Sequence, residues 1–205
     1  MKKVNTLKLV GVALLTAIVV VLQLVGGSIR FGTFSVTLSL VPIVIGAALY
    51  GKRAGAWLGF IFGCMTLLDA APFFAVNVPG TIIVCLLKGT LAGFLAGVVF
   101  SLVEKKNTTL GVVLAAITAP IVNTGTFLLG CCVFFYDTVK GWGEERLGEA
   151  LGFVDVFVYM IVGFVGVNFL IEMATNMILS PAIVRLIAEG RKAVGSKSNH
   201  KQAKN

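Results

Sequence analysis

Long apolar runs alternate with short polar or glycine-rich breaks along the chain, at positions 7–24, 35–50, 55–70, 81–103, 110–135 and 151–187. A bilayer's hydrocarbon core calls for about 17–25 apolar residues per helix. In lipid a helix has the further merit of satisfying its own backbone. The pattern therefore predicts an all-α polytopic membrane protein, a six-transmembrane-helix bundle forming one domain over residues 1–189. The second and third runs are short, which predicts tilted, irregular or shielded spans. The sixth exceeds one straight span, so it is expected to enter as an outer helix or to leave as a cytoplasmic helix near Pro181. Positions 1–27 read as a span rather than a cleaved signal peptide. Their apolar run is full length and lacks an early small-x-small site before polar sequence.

Composition agrees: 58% of the 205 residues are apolar and 13% charged, against roughly 45–50% apolar in soluble domains. Charge then sets the orientation. With both termini cytoplasmic, only Arg30, Lys140 and Arg146 fall on the outer side and Lys88 lies within a span. Every other Lys and Arg is inside, as the positive-inside rule requires. A net charge of +8 is thereby explained by anionic lipid, with no nucleic acid partner. Residues 190–205 form a basic tail of disordered composition. The expected location is the bacterial cell membrane.

The inner breaks are tight, at 51–55 and 104–109. The outer ones are longer: 26–34, 69–80 and 136–149. Binding surfaces and lids concentrate in such loops, so the chain looks built to capture a solute from outside. No GxxxxGK[ST] loop is present, and the only histidine, His200, lies in the tail. Cys64, Cys85, Cys131 and Cys132 all lie inside spans without metal spacing. Neither an enzyme nor a metal or cofactor site is expected, and no inverted repeat of the kind seen in many secondary transporters is evident.

Two kinds of residue carry the functional reading. Ala13 and Ala17 make a small-xxx-small notch on the first span, where another helix can approach closely. Ala92 and Ala96, beside Gly89, Gly93 and Gly97, make a second ridge on the fourth. Each serves either packing within the chain or docking of a partner. The second kind is polar residues inside spans, which cost roughly 2.5–3.5 kcal/mol each for an ionisable group. Lys88 either meets a ligand carboxylate, pairs with Glu172 or caps an unwound carbonyl. Asn168, Glu172 and Asn176 form one stripe at i, i+4 and i+8. Asn168 suits a ligand contact, and the deeper two suit internal hydrogen bonding. Asn123 follows Pro120 and either meets ligand or repairs the kink. Asn77 and Tyr136 stand at outer span ends, Arg30 in the first outer loop can attract an anion, and Trp142 is a lid or an interfacial anchor. Tyr159 is a further anchor candidate.

With these residues in order, the chain resembles the substrate-binding S component of energy-coupling factor (ECF) vitamin transporters. The resemblance rests on size, six spans, the Ala13-x-x-x-Ala17 motif, the junction from Pro42 to Gly59 and the run Lys88-Gly89-Thr90-Leu91-Ala92-Gly93. It implies a subunit that binds a vitamin near the outer face, docks on a transmembrane coupling subunit carrying two ATPases, topples, and releases its ligand inside. It also implies that Ala13 and Ala17 pack on the coupling subunit, and that ligand contacts come from the first outer loop and the last three spans.

Pantothenate is the best expectation for the ligand. Its carboxylate suits Lys88 or Arg30, and its hydroxyls and amide suit the asparagines. Riboflavin is the alternative, because the outer aromatics could stack on a flavin ring. Outside this class stand an ion-coupled carrier using Lys88 with Glu172, and a scaffold that binds no small molecule.

Overall fold

The computed structural model describes residues 6–28, 30–31, 34–35, 38–148 and 150–202. In chain order its elements are α1 (Thr6–Ser28), a hairpin of β1 (Arg30–Phe31) and β2 (Phe34–Ser35), α2 (Leu40–Tyr50) and α3 (Lys52–Thr66). A 3-10 turn (Leu67–Asp69) and α4 (Ala71–Phe74) follow. Then come α5 (Val78–Val103), α6 (Thr108–Phe134), α7 (Tyr136–Leu147), α8 (Phe153–Val158), a π-helical turn (Tyr159–Phe164) and α9 (Gly166–Gln202). The fold is helical apart from the hairpin, whose antiparallel strands pair Arg30 with Ser35 and Phe31 with Phe34.

Among the described residues four stretches are long and apolar enough to cross a membrane: Lys8–Gly26, Val78–Val103, Thr108–Phe134 and Phe153–Glu189. The second and third expected spans are shorter than a bilayer. α2 has 11 residues and α3 has 15, or about 16 and 22 Å at 1.5 Å per residue. They are separated by Gly51, whose φ of 92° is open to glycine and costly for other residues. Position 35 lies in β2, so the second helix starts five residues later than expected.

α3 and α5 meet backbone to backbone. A Cβ on Gly59 would fall on the carbonyl oxygen of Gly89, one on Gly55 on that of Gly93, and one on Gly63 would lie 2.6 Å from that of Cys85. Glycine spaced by four residues on both helices lets the two backbones touch, which is how helices associate where the hydrophobic effect is absent. Gly59→Leu is expected to destabilise the fold by about 3 kcal/mol or more, because the obstruction is backbone that cannot move aside. Loss of the monodisperse peak in fluorescence-detected gel filtration checks it. An unchanged peak would mean the seam is not structural.

Ala92 and Ala96 belong to this interior, both at 0% exposure. A partner cannot reach them, and the docking role expected for them is corrected to intrachain packing. Ala13 and Ala17 are the reverse case. Among the described residues of α1 only Val19, Gln23 and Gly26 are buried, a single i, i+4, i+7 stripe, while Ala13, Leu14, Ala17, Ile18 and Val21 are exposed. The notch faces out of the bundle.

Among the described residues three apolar clusters fill the bundle: Val19, Leu40, Ile43, Leu58 and Phe62 join α1, α2 and α3, and the other two lie toward its opposite ends. One joins Val44, Ala48, Ala96, Phe100, Val112, Ala115 and Ile187. It lies at the end with the Gly51 and 104–107 turns, the basic end. The other joins Val84, Cys131, Phe135, Val139, Val156 and Met160, at the loop-rich end. Tyr159 is 8% exposed within this second core, so it is a packing residue and not an interfacial anchor. The start of α1 lies at the basic end, with the Tyr50 hydroxyl packed on Gly11. Of the two breaks expected in the last run, the one near its start is present and the one at Pro181 is not. The helix breaks at the π-helical turn, where the Val165 amide bonds to the carbonyl of Met160 at 3.1 Å, while Pro181 stays inside α9. A Cβ at Gly166 would lie 2.6 Å from the Ile161 carbonyl oxygen, so glycine lets the wide turn close.

Candidate functional site

Between the two cores lies a polar layer. Lys88 sits on α5 between Val84 and Ala96, and Asn123 on α6 between Ala119 and Cys131. Asn168, Glu172 and Asn176 sit on α9 above Ile183. A helix repeat of 3.6 residues aligns positions four apart, so α9 presents its whole polar stripe to one side. Lipid cannot satisfy these groups, so they turn inward. Glu172 is 2% exposed, Asn123 6% and Asn176 0%.

Glu172 organises the layer. Its carboxylate accepts from Asn168 Nδ2 at 3.1 Å and from Asn123 Nδ2 at 3.4 Å, and its carbonyl accepts from Asn176 Nδ2 at 2.8 Å. With each NH2 turned to Glu172, the amide oxygens face elsewhere. The Oδ1 atoms of Asn123, Asn168 and Asn176 are buried with no hydrogen-bond partner. A buried acceptor left unmade costs about 1–3 kcal/mol, so three together mark where outside donors belong. Asn123 does not repair the Pro120 kink, since its donor goes to another helix.

Lys88 approaches the layer from α5. Its ammonium stands 5.1 Å from the Phe127 ring centre and 6.0 Å from that of Phe62, within cation–π range. No carboxylate of a described residue lies within ion-pair distance of it. The Lys88–Glu172 salt bridge considered from the sequence is not formed. Phe127 and Asn123 are four apart on α6 and share a face, which brings cation and amides onto one wall.

Aromatic side chains close the loop-rich end. Phe73 of α4 packs edge-to-face on Phe127 at 5.7 Å, Phe135 at 4.9 Å and Trp142 of α7 at 5.4 Å. Trp142 is half-buried in this cluster. The stretch expected as a loop over 136–149 is largely a helix, α7, closed by Gly148 in the left-handed conformation (φ 75°). Tyr136 packs on Phe153 at 6.0 Å, at the edge of the cluster.

The remaining expected residues separate. Asn77 caps α5, its Oδ1 accepting from the Gly80 amide at 2.9 Å. This is the standard role of asparagine at a helix start. Arg30 lies in β1, and its side chain is outside the described residues. Sequence reasoning passed over Phe127 and Trp57. Phe127 was findable from its spacing to Asn123. Trp57 is half exposed, stacks on Phe60 at 6.1 Å and donates from Nε1 to Thr16 Oγ1 at 3.3 Å, so it ties α3 to α1 beside the notch.

The arrangement is that of a binder. One cation, three unpaired acceptors and an aromatic wall converge between apolar halves, and among the described residues no His, Cys, Asp or Glu grouping could hold a metal. Comparison with known proteins points the same way. The family described as ECF transporter, substrate-specific component, matches residues 7–184. The chain is 28% identical over 210 residues to PanT, the pantothenic acid transporter of Lactococcus lactis subsp. cremoris, across 93% of this chain and 98% of that protein. Among solved structures, ThiT from Listeria monocytogenes superposes with a TM-score of 0.61 at 17% identity, over 89% of this chain and 98% of that one.

Proposed function

The chain belongs to the substrate-specific components of ECF transporters, membrane subunits of vitamin uptake that are not enzymes, and from that premise we propose that it binds pantothenate in the polar layer and delivers it after docking on a coupling subunit with two ATPases. The observation that carries the ligand is the pairing of a cation with no acid beside it and buried acceptors with no donor, both among the described residues. Pantothenate supplies the complement: a carboxylate for Lys88, and hydroxyl and amide donors for Asn123 and Asn168. The full-length relative that transports pantothenic acid supports the same choice. A flavin is disfavoured. Phe127, Phe135 and Trp142 each pack edge-to-face on Phe73, so these rings are already engaged with Phe73 rather than set out in parallel to stack on a flavin.

In this reading the loop-rich end faces outward, Phe73 and Trp142 cover the site, and six spans place both termini in the cytoplasm. Arg30, Asn77 and Tyr136 stand at the rim. The test is titration of the purified full-length chain with labelled pantothenate, and then of Lys88→Met. Wild type should bind and Lys88→Met should bind more than tenfold more weakly, the factor that 1.4 kcal/mol represents. Equal affinity would remove Lys88 from the site. Absence of wild-type binding, with thermal stabilisation by another vitamin, would replace the ligand and keep the family.

A further inference from the structure

A cavity lies away from the polar layer, at the basic end. It is a cleft of about 440 Å³ between α6 and α9, walled by Thr109 and Val113 on one helix and Met177, Pro181, Val184 and Arg185 on the other. Its origin is local. Ile183 and Ile187 are buried in the core against the Val112 and Ala115 face of α6, which leaves the adjoining flanks of both helices side by side but apart. Pro181 has no N–H for the Met177 carbonyl, and its ring keeps the turn from closing. The Ser180 hydroxyl is spent on the Asn176 carbonyl at 2.8 Å, so the cleft offers little but hydrocarbon.

One end of the cleft is charged. Arg185 is exposed, and among the described residues no carboxylate pairs with it, Glu189 one turn later included. Exposed Lys105 and Lys106 stand in the turn that leads into Thr109. Eight residues separate Met177 from Arg185, about 12 Å along α9, close to the depth of one leaflet of a hydrocarbon core about 30 Å thick. An apolar trough of leaflet length that ends in an unpaired guanidinium matches one molecule: chain below, phosphate above. Basic pockets between membrane helices take anionic headgroups in this way.

We propose that this cleft is a specific site for an anionic phospholipid, one acyl chain lying between α6 and α9 and the headgroup phosphate on Arg185. A zwitterionic lipid fills the trough equally well but carries its own cation beside the phosphate, so Arg185 gives the anionic lipid its advantage. The site is independent of the vitamin.

The full-length chain is reconstituted in nanodiscs of equal parts phosphatidylglycerol and phosphatidylcholine, released into detergent, and weighed by native mass spectrometry. Wild type should retain one lipid, with about tenfold preference for phosphatidylglycerol. Arg185→Gln should retain lipid with the preference gone, and Val113→Phe, which fills the trough and keeps the charge, should retain neither. Equal retention of the two lipids by wild type overturns the proposal, as does a preference that survives Arg185→Gln or retention that survives Val113→Phe. Loss of the lipid when the chain is assembled with its coupling subunit would also overturn it, and would assign the cleft to a partner helix.

Discussion

Ala17→Trp is expected to stop vitamin uptake while the protein still folds and binds vitamin. Ala17 is exposed, one turn beyond exposed Ala13, so an indole there meets nothing inside the chain. Stability should stay within about 0.5 kcal/mol, as for other surface changes. Uptake is different. In lipid two helices gain only from close packing, and a small-xxx-small face exists to let backbones approach. An indole on that face holds a partner helix away. The notch is also framed, because Trp57 reaches across from α3 to Thr16 between the two alanines. The experiment compares pantothenate titration of purified Ala17→Trp with uptake by vesicles carrying the chain and its coupling module. Binding intact with uptake gone places the docking face on α1. Loss of both would place Ala17 in the protein's own packing.

The two alanine pairs show how far spacing can be read. Ala13/Ala17 and Ala92/Ala96 have the same i, i+4 pattern. The pattern says that a backbone comes close but not whose. What separates them is the rest of each helix. α1 carries large aliphatics around its notch, and among its described residues only Val19, Gln23 and Gly26 are buried. α5 has Gly89, Gly93 and Gly97, and α3 has Gly55, Gly59 and Gly63 at matching intervals. Matching glycine rows on two helices of one chain identify each other, and that comparison was open to a reader of the sequence.

The long helices α1, α5 and α6 follow their apolar runs closely, because length and hydropathy decide a span. Where an element depends on a few backbone angles, the runs mislead. The second run begins at position 35, which lies in β2, so α2 is shorter than its run. The last run breaks at the π-helical turn near Gly163 and Gly166, one of the two places expected, and Pro181 stays inside α9. α7 was hidden in a polar stretch, yet it carries ordinary helix punctuation. Asp137 stands in its first turn, Arg146 in its last and Gly148 beyond, which fits the helix dipole and a left-handed cap. In the site, Lys88, Asn123 and Asn168 were legible as polar residues in lipid. The bond from Asn123 to Glu172 was not, because it joins α6 to α9 across 49 positions.

That connection gives the larger effect on binding. Glu172→Leu is expected to weaken pantothenate binding about a hundredfold or more, with a smaller change in stability. Two opposing costs meet in the stability. Removing a carboxylate that is 2% exposed relieves a desolvation penalty, while the freed Asn123 and Asn168 NH2 groups lose their acceptor at about 1–3 kcal/mol each. These terms are similar in size and largely offset. Nothing offsets the loss in binding. The carboxylate fixes which way both amides face, and without it each can turn its donor toward the ligand's own donors. Two misaligned hydrogen bonds at about 1.4 kcal/mol apiece give the factor of a hundred. Glu172→Gln separates orientation from bulk. It keeps the shape and one acceptor, so one amide stays oriented and binding should fall only about tenfold. Calorimetric titration of both variants, beside their melting temperatures, checks the order. If Glu172→Gln and Glu172→Leu bind alike, Glu172 fills space; if both bind as wild type does, the vitamin lies elsewhere than the polar layer.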